Sequence, residues 1–178
     1  MELRAREAHV WLVSLDVAPA RRGRLASLLS ADEREREGRY RDAAARDRFV
    51  ISRGALREIL SRYAGLPPER LRFSHPCRCG GAGCEPSRRK PRLELDAPLH
   101  FNVSHSDGLA AIAVMRAGEV GVDVERVRPG IAVASVARHV LGANEAEALA
   151  ALPDRERLDA FYRSWTRREA HALSLIHI

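Results

Sequence analysis

Lysine is almost missing from this chain: of its 30 basic residues 29 are arginine, and Lys90 stands alone. Aromatic residues are scarce too, at 5%. That scarcity argues against a general single-stranded nucleic-acid binder, which stacks bases on aromatic rings set among its cations. The only cysteines, Cys77, Cys79 and Cys84, fall in one short stretch; they are too few and too local for a disulfide framework. No apolar run approaches the ~18 residues of a membrane span; the longest is about that of 109–115. The opening Met1-Glu2-Leu3-Arg4 has no apolar region of the signal-peptide kind. A cytoplasmic protein without membrane association is the expectation.

What is present is enough for a core. The chain has 178 residues, 46% of them apolar, which bounds it to one domain or two small ones and excludes intrinsic disorder. Its net charge of +6 is unevenly spread. Residues 1–100 hold 21 Lys and Arg against 14 Asp and Glu, and residues 101–178 hold 9 against 10. A basic half beside a slightly acidic one suits an anionic ligand or partner docking on one side. An arginine bias set by genome composition explains the same excess equally well.

Periodicity predicts a strand at 9–17 and a capping box at Ser30 and Glu33 opening a charged helical turn. A longer helix follows, with Phe49, Leu56, Leu60 and Tyr63 on one face, ended by Gly65, Pro67 and Pro68. Short strands are expected at 71–74, 93–95, 99–104 and 109–115 around a loop at 75–91, with another at 120–127. Helices at about 131–141, 144–151 and 154–173 complete the pattern. Shifting the sequence by 112 residues lays 28–58 on 140–170 with 8 of 31 positions identical, including Glu33, Asp47, Phe49 and Ser52. Chance likeness of two Ala/Glu/Arg-rich helices is the alternative. The repeat predicts an α+β fold: a pseudo-two-fold pair of similar helix-on-antiparallel-sheet subdomains, 1–117 and 118–178, with a cleft between them. By the same logic the second subdomain is incomplete, and the uncharged tail 174–178 reads as a non-native ending of a truncated chain.

Four constellations could carry chemistry. In Gly121-Val122-Asp123-Val124-Glu125, strand alternation puts both carboxylates on one face. Such a pair suits Mg²⁺, and equally a solvated edge. In the segment 161–170 (FYRSWTRREA), Tyr162, Thr166, Glu169 and Leu173 share a helical stripe. Glu169 could join the same metal or pair with an arginine on the surface. The run 101–108 (FNVSHSDG) holds Ser, His and Asp side by side. It is a poor hydrolytic triad, since a triad is assembled from residues apart in sequence, and a better phosphate-binding turn. The basic turn Arg88-Arg89-Lys90-Pro91-Arg92 could clamp a phosphate or a base, or be a solvated loop or nucleic-acid contact. The cysteine spacing fits standard zinc sites poorly, although His75 could serve as a fourth ligand.

Taken in order, RKPRL, FNVSHSDG, GVDVE and FYRSWTRREA resemble the 4′-phosphopantetheinyl transferases of the surfactin-synthetase-activating type, over about residues 9–172. The resemblance implies two similar α+β halves around a cleft. It also implies transfer of phosphopantetheine from coenzyme A to a serine of an acyl or peptidyl carrier protein, in fatty-acid, polyketide or nonribosomal-peptide synthesis. Asp123, Glu125 and Glu169 would hold Mg²⁺, Glu169 would act as the base, and His105 and Arg168 would assist. Arg36, Arg48 and His105 match positions that grip the 3′-phosphate; Lys90, Pro91 and Ser104 match positions around the adenine nucleotide. The chain departs from the family at Arg168, where lysine is usual. It departs again at Leu173, where a lysine usually assists the leaving phosphate, and at Glu33, which can be basic. A monomer is expected, since a pseudo-dimer has little need of a second copy. Three readings stand beside this one: a non-catalytic arginine-rich module binding carrier protein or nucleic acid, an inactive truncated transferase, and a hydrolase using Ser104 and His105.

Overall fold

The computed structural model describes residues 1–4, 6–74 and 90–175. In chain order its elements are β1 (Ala8–Ser14), α1 (Pro19–Ser27), α2 (Ala31–Gly38), α3 (Ala43–Ala64), β2 (Phe73–Ser74) and β3 (Arg92–Leu93). There follow β4 (His100–Ser106), β5 (Leu109–Met115), α4 (Val133–Val140), α5 (Ala143–Ala150) and α6 (Asp154–Leu175). The cysteine cluster, His75, Arg88, Arg89 and the residues after 175 lie outside the described residues. No described helix is long and apolar enough to cross a membrane.

Sheet order follows from the apolar patterning of the strands. β5 is an unbroken apolar run and takes the centre of an antiparallel sheet ordered β1-β5-β4. Alternation along β1 turns His9, Trp11 and Val13 inward and leaves Val10 and Leu12 exposed. β4 and β5 meet through the two-residue loop Asp107-Gly108, where Asp107 takes the left-handed conformation at φ 55°. A separate two-stranded pair, β2 with β3, is the other sheet of this half among the described residues.

α3 is bounded by local chemistry: the Asp42 carboxylate accepts from the Ala45 amide at 2.6 Å, and Gly65 closes the helix at φ 67°. Leu56, Leu60 and Tyr63 are buried against Phe101, Ile112 and Val114 of the sheet. Phe49, on the same predicted face, is only half-buried and lines a cavity. The capping box at Ser30 and Glu33 forms as read, with both reciprocal bonds present. The Glu33 carboxylate then does more than cap. It accepts from Arg53 and, at 2.5 Å, from the fully buried Arg57, whose other nitrogen donates to the Pro68 and Leu71 carbonyls. Both guanidinium groups lie over the Phe73 ring, at 4.1 and 5.2 Å.

The internal repeat corresponds to helices, and its register is close. Adding 112 carries α2 onto α5 residue for residue, and carries α3 to within one residue of both ends of α6. In each copy the shared glutamate of the short helix pairs with an arginine of the long one, Glu33 with Arg53 and Arg57, Glu145 with Arg168. α4, α5 and α6 enclose their own apolar cluster around the fully buried Phe161. The fold is α+β, but the second half differs from a helix-on-sheet subdomain. Among the described residues no strand follows β5, and the strand expected at 120–127 does not form. The reason is that this segment is bonded by side chains rather than by a backbone ladder.

Burial pushes the Glu33 carboxyl up, but its bonds from Arg57, Arg53 and the Ser30 amide outweigh that and hold it below the ordinary carboxylate range. A depressed folded value contributes stability that is present above the unfolded value of about 4.3 and is lost as the pH falls through the folded one. Glu33→Gln leaves two arginines without their anion, and should cost about 3–5 kcal/mol at neutral pH. Urea titrations from pH 3 to 7 should show wild type weakening in acid and the variant following a flatter, lower curve.

Candidate active site

The alternation of β4 decides how the FNVSHSDG run is used. Successive side chains of a strand point to opposite faces. Val103 joins the packing on the α3 side, and His105, two residues on, lines a cavity there with Arg48, Phe49 and Leu56. Asn102, Ser104 and Ser106 take the opposite face and meet the segment 122–126. Ser104 and His105 therefore cannot work as a nucleophile and its base, and the hydrolase reading falls on this geometry.

On that opposite face a regular pattern links the two segments. The Val122 amide donates to Asn102 Oδ1 at 2.9 Å, the Val124 amide to Ser104 Oγ at 3.2 Å, and the Arg126 amide to Ser106 Oγ at 3.1 Å. The two serine hydroxyls donate in turn to the carboxylates, Ser104 to Asp123 Oδ1 at 2.6 Å and Ser106 to Glu125 Oε2 at 2.8 Å. Both numberings rise together, so the segment runs parallel to β4. Its far end is held by Arg126, which pairs with Asp107 at 2.6 Å.

α6 holds the same segment from the other side. A Cβ on Gly121 would lie 1.9 Å from the Ala170 carbonyl oxygen, so only glycine permits this approach. The Arg128 amide donates to the Tyr162 hydroxyl at 3.2 Å. Lys90 donates to Glu119 at 3.1 Å, to the Val120 carbonyl at 2.8 Å and to the Leu173 carbonyl at 3.4 Å, tying the two halves together. Burial acts to raise the Glu119 pKa, yet Lys90, His100 and Arg92 lower it further.

Asp123 is half-buried, and its second oxygen, Oδ2, is buried with no hydrogen-bond partner. A carboxylate oxygen in that position calls for a cation or a donor. Glu125 and Glu169 are exposed, and Glu169 has no ion-pair partner among the described residues. Among the described residues no three His, Cys, Asp or Glu side chains gather closely enough to form a metal cluster. Asp123 and Glu125 are thus held alike by β4 serines, a hold that Glu169 on α6 does not share. Arg168, beside it, is exposed and bonded to Glu145 at 2.7 Å.

On the α3 side, a cavity of about 530 Å³ is lined by Tyr40, Arg48, Phe49, Pro91, His105 and Asp107 among others. A neighbouring cavity of about 640 Å³ shares Phe49, Arg53 and Pro91 with it and adds Arg36 and Arg72. Arg36 lies over the Phe49 ring at 5.2 Å. Arg36, Arg48, Pro91 and His105 are so brought together, while Lys90 and Ser104 are engaged with Glu119 and Asp123. Asn102 and Ser106 were not singled out by the sequence reading. Their signal was there, in two alternations 20 residues apart, 102/104/106 and 122/124/126.

A sequence profile described as the 4′-phosphopantetheinyl transferase superfamily matches residues 119–172, the segment that carries Asp123, Glu125 and Glu169. The chain is 36% identical over 168 residues to the 4′-phosphopantetheinyl transferase HetI of Nostoc sp., covering 93% of this chain and 67% of that protein. It belongs to the 4′-phosphopantetheinyl transferase superfamily. A Synechocystis relative is 30% identical over 92% of this chain and 63% of its own length. The transferase AcpT of Salmonella typhimurium is 41% identical over 81 residues, 46% of this chain and 42% of that one. The chain thus spans about two thirds of the length of the first two superfamily members and less of the third.

Gly121→Ala would push α6 from the carboxylate segment, and overpacking of this kind costs about 1–3 kcal/mol. Urea denaturation should give an unfolding free energy lowered by that amount, with the midpoint shifted down accordingly, and an unchanged midpoint would contradict the close approach.

Proposed function

We propose that this chain transfers the 4′-phosphopantetheine arm of coenzyme A to a serine of an acyl or peptidyl carrier protein, releasing 3′,5′-ADP. The observation that carries the reading is the split of the site across β4. An arginine- and histidine-lined cavity lies on one face, and a carboxylate pair with a buried unpartnered oxygen lies on the other. β4 is an edge strand of its sheet. A long polyanion could place one phosphate in the cavity and carry its pyrophosphate around that edge to the carboxylates. Coenzyme A has this shape and charge.

In this reading Arg48 and His105 bind the 3′-phosphate, with Arg36 at the next cavity extending the positive lining. Pro91, present in both cavities, stiffens the wall on which the adenosine would rest. Asp123 and Glu125, joined by Glu169, would hold Mg²⁺, and the orphaned Asp123 oxygen fits such an ion. When bound, the ion would neutralise pyrophosphate charge and polarise the phosphorus that is attacked. Glu169 takes the proton of the carrier serine as its oxygen bonds to the phosphorus bearing the pantetheine arm. The bond to the bridging oxygen breaks, and 3′,5′-ADP leaves with the electron pair. Arg168, the sequence neighbour of Glu169 and bonded to Glu145, would assist with its positive charge. Residues 1–117 form the coenzyme A side and 118–178 the carboxylate side, acting as a cytoplasmic monomer.

Two measurements test this. Incubated with coenzyme A, Mg²⁺ and an apo carrier protein, the chain should raise the carrier's intact mass by one phosphopantetheine, and Asp123→Ala or omission of metal should abolish the gain. Calorimetry should show coenzyme A bound about tenfold more weakly by Arg48→Ala and by His105→Ala, as loss of one charged hydrogen bond predicts. No mass gain and no coenzyme A binding together would sink the reading.

A further inference from the structure

The three side chains of β4 that meet the segment 122–126 have no part in the reaction just described, yet their pattern is too regular to be mere contact. Each rung joins a β4 side chain to a backbone amide two residues on from the last, at 2.9, 3.2 and 3.1 Å. The two serine rungs are bifunctional: each accepts from an amide and donates to the carboxylate one residue before it. Their hydroxyls therefore fix the backbone and the carboxylate together. A carboxylate that receives one hydroxyl proton keeps its remaining lone pairs on a defined side. For Asp123 the remaining oxygen is the buried one without a partner.

We propose that Asn102, Ser104 and Ser106 are positioning residues, a side-chain ladder that registers the segment on β4 and aims Asp123 and Glu125 as a pair at a divalent cation. The assignment rests on the metal reading given above. Ser106 is its most informative member, because it lines neither of the two cavities and, among the described residues, its side chain bonds Glu125 and the Arg126 amide alone. Asn102, 6% exposed, anchors the first rung and makes no hydrogen bond to either carboxylate. It should set the register without tuning the ligands.

The test uses the full chain with two readouts. Amide hydrogen exchange by NMR, without metal, follows Val122, Val124 and Arg126; Mn²⁺ binding is measured from the spin-resonance signal of the free ion. Ser106→Ala should speed exchange at Arg126 by about fivefold, the worth of one hydrogen bond. It should weaken Mn²⁺ binding about tenfold, as loss of a partner behind a ligand does. Ser106→Thr, which keeps the hydroxyl, should restore both, and Ser104→Ala should act likewise at Val124. Asn102→Ala should speed exchange at Val122 with a smaller change in Mn²⁺ affinity. Unchanged exchange in the serine variants, or Mn²⁺ affinity equal to wild type in both, overturns the ladder. Mn²⁺ binding that is absent, or indifferent to Asp123→Ala, instead overturns the metal reading and the aim at a cation, and altered exchange at Val124 and Arg126 would then mark that failure as separate from the ladder's geometry.

Discussion

A strand ordinarily binds its neighbour through its own amides and carbonyls. Here the segment 122–126 is bound through Asn102, Ser104 and Ser106 instead, and the rest of the site depends on that substitution. A backbone ladder would have left the serine hydroxyls free and given no proton to Asp123 or Glu125. The side-chain ladder keeps the segment clear of β4's backbone, satisfies three amides, and turns two carboxylates to one side. α6 closes the arrangement through Gly121, where an added Cβ would meet the Ala170 carbonyl. Lys90 spans the two halves at the same place, with its one ammonium bonded to Glu119, Val120 and Leu173.

The opposite side of the sheet is organised by a different constraint. Arg57 is fully buried and Glu33 nearly so, and neither charge would be tolerable there without the other. Their pairing, with Arg53 and the Phe73 ring, anchors α2 to α3 and frames the wall shared by the two cavities. Glu33 is itself no anion-gripping group, and its part here is to organise the two arginines. The positive lining falls instead to Arg36, Arg48 and His105, which are exposed.

Much of this was legible before any coordinates. The capping box at Ser30, the end of α3 at Gly65, the run of β5 and the helices at the second copy are local matters, set by spacing and by which residues can cap or turn a chain. The 112-residue repeat brought out α2 and α5 as counterparts because matching apolar and charged faces force the same helices. The strand at 120–127 was misread because alternation specifies which way side chains point. It does not specify whether the amides bond to a backbone or to another strand's serines.

From the sequence alone came the residue types that the chemistry needs and their order along the chain: a carboxylate pair at 123 and 125, a helix glutamate at 169, and a serine-histidine strand at 104 and 105. Strand periodicity already implied that Ser104 and His105 part company across a sheet. Only the tertiary structure decided what each face would meet. It set His105 beside Arg48 from a helix more than fifty residues earlier, and Ser104 against Asp123 from a segment nineteen residues later. It also left Asp123 Oδ2 buried without a partner. Those juxtapositions depend on how α3 packs against the sheet and on how α6 meets the segment at Gly121, and contacts between segments distant in the chain leave no local pattern from which to read them.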